Sequence, residues 1–507
     1  MTAATPPGAS VPPLRARRLR LHTQHEAVVV MRTDCPVCRA EGMGPRSQVL
    51  LRNGGRDLQA TLFQVESDLL ALDEVGLSEA AWTRLGARDG DPIQVSHPPA
   101  LVSLASVRRR IHGNRLDEAA LTGIVQDVVA GRYTDVHLAA FLTASSALPL
   151  DVAETTYLTR AMVAAGDRLT WDAPIVVDKH SIGGLPGNRT TPIVVAIVTA
   201  LGLVMPKTSS RAITSPAGTA DTMETLTRVD LDQAGLRRVV AAEGGCIAWG
   251  GSLRLSPADE SFIRVERALD IDTEGQMTAS VLSKKVAAGS THVVIDIPVG
   301  PTAKVRSEEA GRRLADGLTE VAARFGLVAV CLQSDGAQPV GRGGGPALEA
   351  LDVLAVLQNA PGAPDDLRRR ACVLAGAVLE MGGAVEAGWG HEAAEAALAD
   401  GRAWRKFERI CQAQGGLRVP PRAAQTRPVT APHAGRVVHI NNRKISRLAK
   451  LAGAPDDKAA GLRMEVRLGD EVDAGQTLLV VHAETPGELA YAFDYVGANH
   501  DILEVEP

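Results

Sequence analysis

The chain has 507 residues, of which 45 % are hydrophobic and 22 % charged, and its formal net charge is -5. This length is enough for about three or four domains with cores of their own, and the mildly acidic balance excludes a basic field for nucleic acid. The sequence contains no run of about 20 apolar residues, so it predicts no membrane span. Residues 1–15 are rich in Pro, Ala and Thr and lack the apolar segment of a signal peptide, which leads us to expect a disordered tail and a cytoplasmic protein.

Residues 16–98 predict a small N-terminal β domain because apolar and polar residues alternate with the period of strands. One short helix is expected at 79–85. The clearest strand segments are 27–31, 48–51, 60–64 and 93–96.

The chain has six cysteines, too few for a disulfide framework at this length. Cys35 and Cys38 form the segment C-P-V-C, and the next cysteine is Cys246. A structural zinc site would need a second pair of ligands nearby. We therefore expect two thiols in a turn and no bound metal, with zinc as the alternative.

The rest of the chain predicts three further domains. Apolar residues at three- and four-residue steps predict a helical domain at 101–168, joined by part of 255–290. Strand and helix patterns alternate through 170–420, which predicts a mainly parallel sheet with helices on both faces and a phosphate site. Residues 426–507 predict a C-terminal β-rich domain of the barrel-sandwich kind. The predicted fold class is therefore multidomain α/β.

Two polar loops of the α/β domain are suited to bind phosphate. The first follows an apolar strand at 174–177 and contains Lys179, Ser181 and several glycines, and Thr190 or Thr191 is expected to cap the next helix. The second, 208–219, is rich in hydroxyls and follows a strand at 203–205. Loops after successive parallel strands leave the same edge of a sheet, so we expect one phosphate cradle. Neither G-x-x-x-x-G-K-[ST] nor G-x-G-x-x-G opens the helix, which disfavours an ordinary nucleotide triphosphatase or dinucleotide fold.

The strings D-K-H-S-I-G-G-L-P-G-N-R-T-T-P from Asp178 and K-T-S-S-R-A-I-T-S-P-A-G-T-A-D from Lys207 carry a specific resemblance. They resemble the thymidine phosphorylase and AMP phosphorylase family, most closely the AMP phosphorylase branch, which includes bacterial chains labelled as thymidine phosphorylases. The resemblance covers nearly the whole chain from about residue 16. It implies a phosphorylase that uses inorganic phosphate as co-substrate, needs no cofactor, and forms a homodimer or a larger homo-oligomer.

The resemblance also implies roles for particular residues. Asp272 matches the proton donor to the departing base, although an aspartate ahead of a helix is more often a cap. Phosphate would be bound by Lys179, Ser181 and Ser209. The base would contact Lys284, with His180 and Arg267 as further candidates. The remaining positions match substrate or nucleotide ligands: Gly184, Ser210, Arg211, Ala212, Ile213, Thr214, Ser215, Thr219, Ser280 and Lys304.

The second loop departs from the thymidine phosphorylase pattern, since it has A-I-T-S-P-A-G-T where that enzyme is glycine-rich. Extra hydroxyls, with Arg211 or Lys304, suit a 5′-phosphate. We therefore expect phosphorolysis of a nucleoside 5′-monophosphate of the AMP type, giving free base and ribose 1,5-bisphosphate. Phosphorolysis of thymidine or another pyrimidine nucleoside is the alternative. Phosphoribosyl transfer is disfavoured because the sequence contains no carboxylate-rich loop for magnesium. A non-catalytic nucleotide sensor is the third hypothesis.

Overall fold

A computed structural model describes residues 13–271 and 273–507, which form two compact units. The first unit contains the residues up to 108 together with 127–137, and the second contains the remainder. Twelve residues of the predicted tail and the predicted proton donor, Asp272, lie outside the described residues. Residues 14 and 15 do not belong to a tail, because a strand begins at Leu14 and its side chain is buried.

The first unit contains a closed six-stranded barrel. Its strands follow the order β1-β5-β2-β4-β3-β6, and β6 pairs with β1 to close it, so no strand edge is left open. Sequence periodicity did not reveal β1, β5 or α1. The elements are β1 (Leu14–Arg18), β2 (Val28–Arg32), α1 (Pro36–Ala40), β3 (Gln48–Asn53), β4 (Arg56–Val65), β5 (Glu74–Leu77), α2 (Glu79–Leu85) and β6 (Pro92–Ser96).

Four helices follow, and the division between the two units passes through the first three of them. The fourth begins with a capping box between Asp151 and Glu154. Glu154 also forms a buried ion pair with Arg110, whose Nη1 lies 2.7 Å from its Oε1. The helices are α3 (Leu104–Ile111), α4 (Glu118–Val129), α5 (Asp135–Ala147) and α6 (Val152–Ala164).

A parallel sheet forms the centre of the second unit. Two pieces, ordered β11-β10-β7 and β8-β9, are joined by a single bridge between Val176 and Val204. A 3-10 turn, Gly250–Leu253, follows β9. The elements are β7 (Val177–Ser181), α7 (Thr190–Ala200), β8 (Met205–Ser209), α8 (Thr219–Glu224), α9 (Gln233–Glu243), β9 (Gly245–Trp249), α10 (Pro257–Leu269), α11 (Glu274–Ala287), β10 (His292–Val299), α12 (Glu308–Ala323) and β11 (Val328–Asp335).

The two strands before the predicted loops lie later in the chain than expected. The predicted strands at 174–177 and 203–205 are corrected to Val177–Ser181 and Met205–Ser209. Lys179 and Ser181 therefore belong to a strand, where the backbone of residues 177–181 pairs with β10. The predicted cap is also wrong, since Thr190 is the first residue of α7 and the N-cap position is Arg189.

The second unit ends in a helical layer and a C-terminal β-rich domain that also contains two unpredicted helices. α7 is buried against α14 and α16 in the main apolar core. The elements are β12 (Gly343–Gly344), α13 (Pro346–Leu357), α14 (Asp365–Met381), α15 (Gly390–Ala399), α16 (Arg402–Ala413), β13 (Gln425–Thr430), β14 (Gly435–Ile440), α17 (Asn442–Leu451), β15 (Gly461–Met464), β16 (Glu471–Val472), β17 (Thr477–Ala483), α18 (Pro486–Ala498) and β18 (Leu503–Glu506).

The predicted fold class is confirmed, with a β domain, a helical segment, a parallel α/β domain and a β-rich C-terminal domain. In the part of the chain that the structure describes, no helix is long and apolar enough to cross a membrane.

Candidate active site

Both predicted loops leave the same edge of the parallel sheet. β7 ends at Ser181 and β8 at Ser209, and the backbone N–H of Val177 donates to the carbonyl of Val204 at 2.9 Å where the two strands run side by side. Since both strands point in one direction, the loops at 182–189 and 210–218 lie at their carboxyl ends. This is the edge at which open parallel sheets bind ligands.

Asp296 of β10 lies at the centre of the polar cluster around the first loop. Ser181 Oγ donates to Asp296 Oδ2 at 2.6 Å, and Ser334 Oγ donates to Oδ1 at 2.5 Å. Asn188 Nδ2 donates to Ser181 Oγ at 3.0 Å and to Asp296 Oδ2 at 3.2 Å. The Ser181 hydroxyl must therefore turn away from Asp296 before it can donate to a phosphate. Sequence reasoning missed Asp296 and Ser334, and the only local signal was an aspartate within the apolar strand V-V-I-D-I-P.

Lys179 is completely buried, and its Nζ donates to Thr190 Oγ1 at 2.7 Å. The side chain therefore reaches the first residue of α7, so a lysine and a helix N-terminus meet at one point. Burial lowers the pKa of Lys179 to about 8, although the Asp296 carboxylate opposes the shift. An oxyanion bound here would favour the protonated lysine.

Asp178 of β7 forms buried ion pairs with two lysines. Asp178 Oδ1 lies 3.0 Å from Lys207 Nζ, and its Oδ2 lies 2.7 Å from Lys285 Nζ. Burial alone would raise the pKa of Asp178, but the two lysines outweigh burial and lower it. Burial lowers the pKa of Lys285 to about 7, while Asp178 opposes the shift. Burial and the nearby lysines, including Lys284, hold the pKa of His180 well below its usual range, so His180 is neutral at pH 7.

A buried ion pair clamps the two loops together. Arg189 Nε lies 2.6 Å from Glu349 Oε2, and both side chains are buried. Arg189 also donates from Nη1 to Thr219 Oγ1 at 2.9 Å and from Nη2 to the carbonyl of Ala217 at 2.7 Å. The Thr219 hydroxyl, a predicted ligand, is thus fixed by a residue of the first loop. Neither Arg189 nor Glu349 was among the predicted site residues.

Arg211 has its charge neutralised within the protein. Its guanidinium donates to Glu224 at 2.7 and 2.8 Å and to Asp221 at 3.1 Å, and it stacks 4.8 Å from the centroid of the Trp249 ring. Asp221 also accepts from the N–H groups of Ala212 and Gly218 at 2.7 and 2.9 Å. In this structure Arg211 therefore shapes the second loop and is not available to receive a 5′-phosphate.

The other predicted residues of the second loop differ in exposure. Ser209 is half-buried and Ser210 is exposed. Ser215 Oγ donates to the carbonyl of Ala217 at 2.8 Å. Ala212 and Ile213 contribute their backbone to this turn.

Gly184, Lys304 and Thr214 converge although they come from three segments. A Cβ atom at position 184 would lie 3.2 Å from Lys304 Cγ and 3.8 Å from Thr214 Oγ1. Gly184 has a φ of +99°, which L side chains rarely adopt, so the backbone conformation at this position favours glycine. Three of the predicted substrate ligands thus meet at one place.

Ser280 and Lys284 form a second polar group on α11. Lys284 Nζ lies 2.8 Å from Asp259 Oδ2 and 3.2 Å from Ser280 Oγ. Asp259 is buried, and its Oδ1 has no hydrogen-bond partner among the described residues. The ammonium group of Lys284 is thus held beside Asp259 Oδ1, a buried acceptor that none of the described residues uses. A donor next to an acceptor suits recognition of a polar base. Asp259 was not predicted.

Two further predictions concern the end of α10 and the start of α11. Arg267 lies exposed in the last turn of α10. The N-cap position of α11 is occupied by Thr273, whose side chain accepts from the N–H of Gln276 at 3.3 Å. The role of Asp272 as proton donor stays a prediction, because this residue lies outside the described ranges.

A cavity of about 480 Å³ opens at the opposite edge of the sheet. It is lined by Trp171, Gly289 and Thr291, which precede the first residues of β7 and β10. Because it lies at the amino ends of the strands, it is separate from the site described above.

Three segments of the chain match known domain families. Residues 105–166 match the helical bundle domain of the glycosyl transferase family, and residues 173–404 match the a/b domain of that family. Residues 436–503 match the pyrimidine nucleoside phosphorylase C-terminal domain. Together these domains define the class, which is a pentosyltransferase of the nucleoside phosphorylase type, and the predicted enzyme class is confirmed.

Similar proteins extend over the whole chain. A protein of Chelativorans sp. (strain BNC1) named "Putative thymidine phosphorylase" is 72 % identical over 100 % of both chains. Proteins with the same name from Parvibaculum lavamentivorans and Sphingopyxis alaskensis are 64 % identical, over 98 % of both chains, and 59 % identical, over 97 % of this chain and 96 % of the relative. The chain therefore belongs to the thymidine and pyrimidine nucleoside phosphorylase family.

One solved structure is similar to this chain in its fold, and at this level of identity the similarity concerns the fold only. The anthranilate phosphoribosyltransferase of Thermus thermophilus aligns with a TM-score of 0.51 and 22 % identity, covering 61 % of this chain and 99 % of that chain.

Proposed function

We propose that the enzyme splits the N-glycosidic bond of a pyrimidine nucleoside with inorganic phosphate, giving the free base and ribose or deoxyribose 1-phosphate. The observation that carries this proposal is the cationic group at Lys284, which is held by Asp259 and Ser280 near His180. A pyrimidine presents carbonyl oxygens and an N–H, and the ammonium, the Ser280 hydroxyl and the neutral imidazole match these groups. The names of the full-length relatives point to the same substrate class.

The reaction needs an attacking phosphate, a fixed sugar and a stabilised leaving base. A phosphate oxygen attacks C1′ as the bond to the base breaks, and the transition state has oxocarbenium character. The bond pair leaves with the base, whose negative charge Lys284 would stabilise before a proton reaches the ring nitrogen. Lys179 and the N-terminus of α7 would hold the phosphate, and Asp272 would supply the proton.

A nucleoside 5′-monophosphate of the AMP type is the second candidate substrate, giving ribose 1,5-bisphosphate. It is favoured by the convergence of Lys304 and Thr214 at Gly184, which places a cation and a hydroxyl beside a close backbone approach. Arg211 does not support this candidate, because its guanidinium already donates to Asp221 and Glu224, which also pair with Lys458.

The experiment is to incubate the protein with phosphate and thymidine, uridine, CMP or AMP and to measure the released base by chromatography. We expect base from thymidine or uridine without added magnesium, and no release without phosphate. Release only from AMP or CMP would favour the second candidate. A requirement for magnesium and a diphosphate would instead identify a phosphoribosyltransferase, and binding without turnover would identify a sensor.

Variants at Lys284 test the assignment of the base contact. Lys284→Met should lower kcat/KM by about 100-fold, because a charge-assisted contact to the leaving base is lost. Lys444→Met is a matched control, since the side chains of Lys284 and Lys444 are 28 % and 27 % exposed and each pairs with an aspartate. Equal activity of the two variants would refute the proposed role of Lys284.

A further inference from the structure

Three basic side chains form a row along α17 of the C-terminal domain. Arg443, Arg447 and Lys450 follow one another at steps of four and three residues, which places them on one face of the helix. The helix sequence, N-R-K-I-S-R-L-A-K-L, contains no acidic residue. The buried residues Ile445 and Leu448 fix the helix to the core of its domain, so the position of the row is set by packing.

The row reaches two parts of the candidate site. Lys450 Nζ donates to the carbonyl of Ile213 in the second loop at 2.9 Å. Arg443 Nη1 lies 4.0 Å from Asp270 Oδ2 at the end of α10. At the start of the same helix, Asn442 Nδ2 donates to Thr302 Oγ1 at 3.0 Å, two residues before Lys304. α17 therefore contacts both segments that converge on Gly184.

Among the described residues, Lys450 is held by a carbonyl oxygen and by no carboxylate. Lys450 is half-buried, and none of the described carboxylates lies within ion-pair distance of it. Burial, followed by the charges of Arg267 and Arg447, lowers the pKa of Lys450 to about 8. Like charges held together in this way repel one another until an anion binds between them, and phosphate oxygens are the groups that such cations bind best.

We propose that Lys450, Arg267 and Arg447 form a subsite for a phosphate oxyanion at the rim of the second loop, so that the C-terminal domain takes part in substrate binding. The inference rests on the proposed phosphorolysis. The oxyanion has two sources, the 5′-phosphate of a nucleotide substrate and the inorganic phosphate co-substrate. This subsite provides the cation that Arg211 cannot provide while Asp221 and Glu224 hold its guanidinium.

Steady-state kinetics of Lys450→Met distinguish the two sources. With a nucleoside 5′-monophosphate as substrate, we expect KM to rise by about 10- to 100-fold, while kcat changes little. If the oxyanion is the co-substrate, the same rise is expected in the KM for inorganic phosphate with thymidine or uridine. Lys450→Arg should restore most of the affinity, and Lys444→Met, a control on the same helix, should leave every constant unchanged.

Several outcomes would overturn the subsite. Unchanged KM values for nucleotide and for phosphate in Lys450→Met refute it. An equal loss of kcat with every substrate, shared by Lys450→Arg, would mean that Lys450 only holds the second loop in shape. If Lys450→Met does not fold, Arg267→Gln provides the same test from α10. If the wild-type protein releases no base at all, the proposed function fails, and calorimetric titration of wild type and Lys450→Met with AMP and with inorganic phosphate tests the subsite by itself.

Discussion

Replacing Glu349 by Gln tests the clamp between the two loops. Glu349 is completely buried, and its Oε2 lies 2.6 Å from Arg189 Nε. Glutamine keeps the volume and an acceptor oxygen but removes the negative charge. The guanidinium of Arg189, which is 7 % exposed, would then remain charged inside the protein without a counterion.

The expected cost follows from the surroundings of the pair. Breaking a buried ion pair by removing one partner costs about 3–5 kcal/mol. Arg189 keeps two acceptors, Thr219 Oγ1 at 2.9 Å and the carbonyl of Ala217 at 2.7 Å. We therefore expect Glu349→Gln to lower the free energy of unfolding by about 3 kcal/mol, the lower end of that range.

Urea denaturation followed by tryptophan fluorescence measures this loss. The control is Glu308→Gln, which breaks an exposed pair with Arg312 and should change the free energy of unfolding by less than about 1 kcal/mol. The double variant Arg189→Met with Glu349→Leu removes both charges and should recover most of the loss. A change below about 1 kcal/mol in Glu349→Gln would refute the reasoning, since the clamp would then carry no buried charge.

Three further predictions follow from the ionisation of single groups. The ring signals of His180 in NMR spectra should show no titration midpoint near pH 6.5, because burial and nearby lysines keep its pKa well below that ordinary value. The ultraviolet absorbance of thiolate should rise with a midpoint at about pH 6, because the neighbouring Cys38 thiol lowers the pKa of Cys35 to about 6, and Cys38→Ala should move the midpoint upward. A hydrogen bond from Arg211 lowers the pKa of Glu224 from 4.5 to about 2, so its contribution to stability is present above pH 4.5 and is lost as the pH falls toward 2. The melting temperature of Glu224→Gln should therefore depend less on pH in that window.

Each of these predictions has a clear contrary result. A His180 signal that titrates with a midpoint near 6.5, identified by its absence in His180→Gln, would show that the ring is accessible to protons. A thiolate band that persists in Cys35→Ser would assign the low midpoint to another cysteine. Parallel curves of melting temperature against pH for wild type and Glu224→Gln would show that the contacts of Glu224 with Arg211 and Lys458 are absent in solution.

The loops of the site could be predicted from the sequence, but the strands that carry them were displaced. Hydroxyls and glycines near Ser181 and Ser210 marked the carboxyl edge of the sheet correctly, because such residues are typical of oxyanion sites. The strands were placed too early, since we expected strands to be apolar. β7 and β8 can contain Asp178, Lys179 and Lys207 because each of these side chains has a polar contact inside the protein. Asp178 and Lys207 form an ion pair, and Lys179 donates to the Thr190 hydroxyl.

The residues that complete the site could not be found from local patterns. Asp296, Asp259 and Glu349 are acids within ordinary strands and helices, and only tertiary contacts show that they organise the predicted ligands. α17 is a different case. Its apolar residues Ile445 and Leu448 follow helical spacing, but the many turns of the C-terminal segment led us to expect strands alone.

The group formed by Asp178, Lys207 and Lys285 has a consequence for how the enzyme responds to its substrates. Two lysines share one carboxylate in the interior. Burial lowers the pKa of Lys285 to about 7, so a small change in its surroundings changes the protonation of this lysine near neutral pH. A phosphate anion bound at the carboxyl end of β7 would favour the protonated form of Lys285. Occupation of the cradle should therefore draw protons from the solvent, and the heat of binding should vary with the ionisation enthalpy of the buffer.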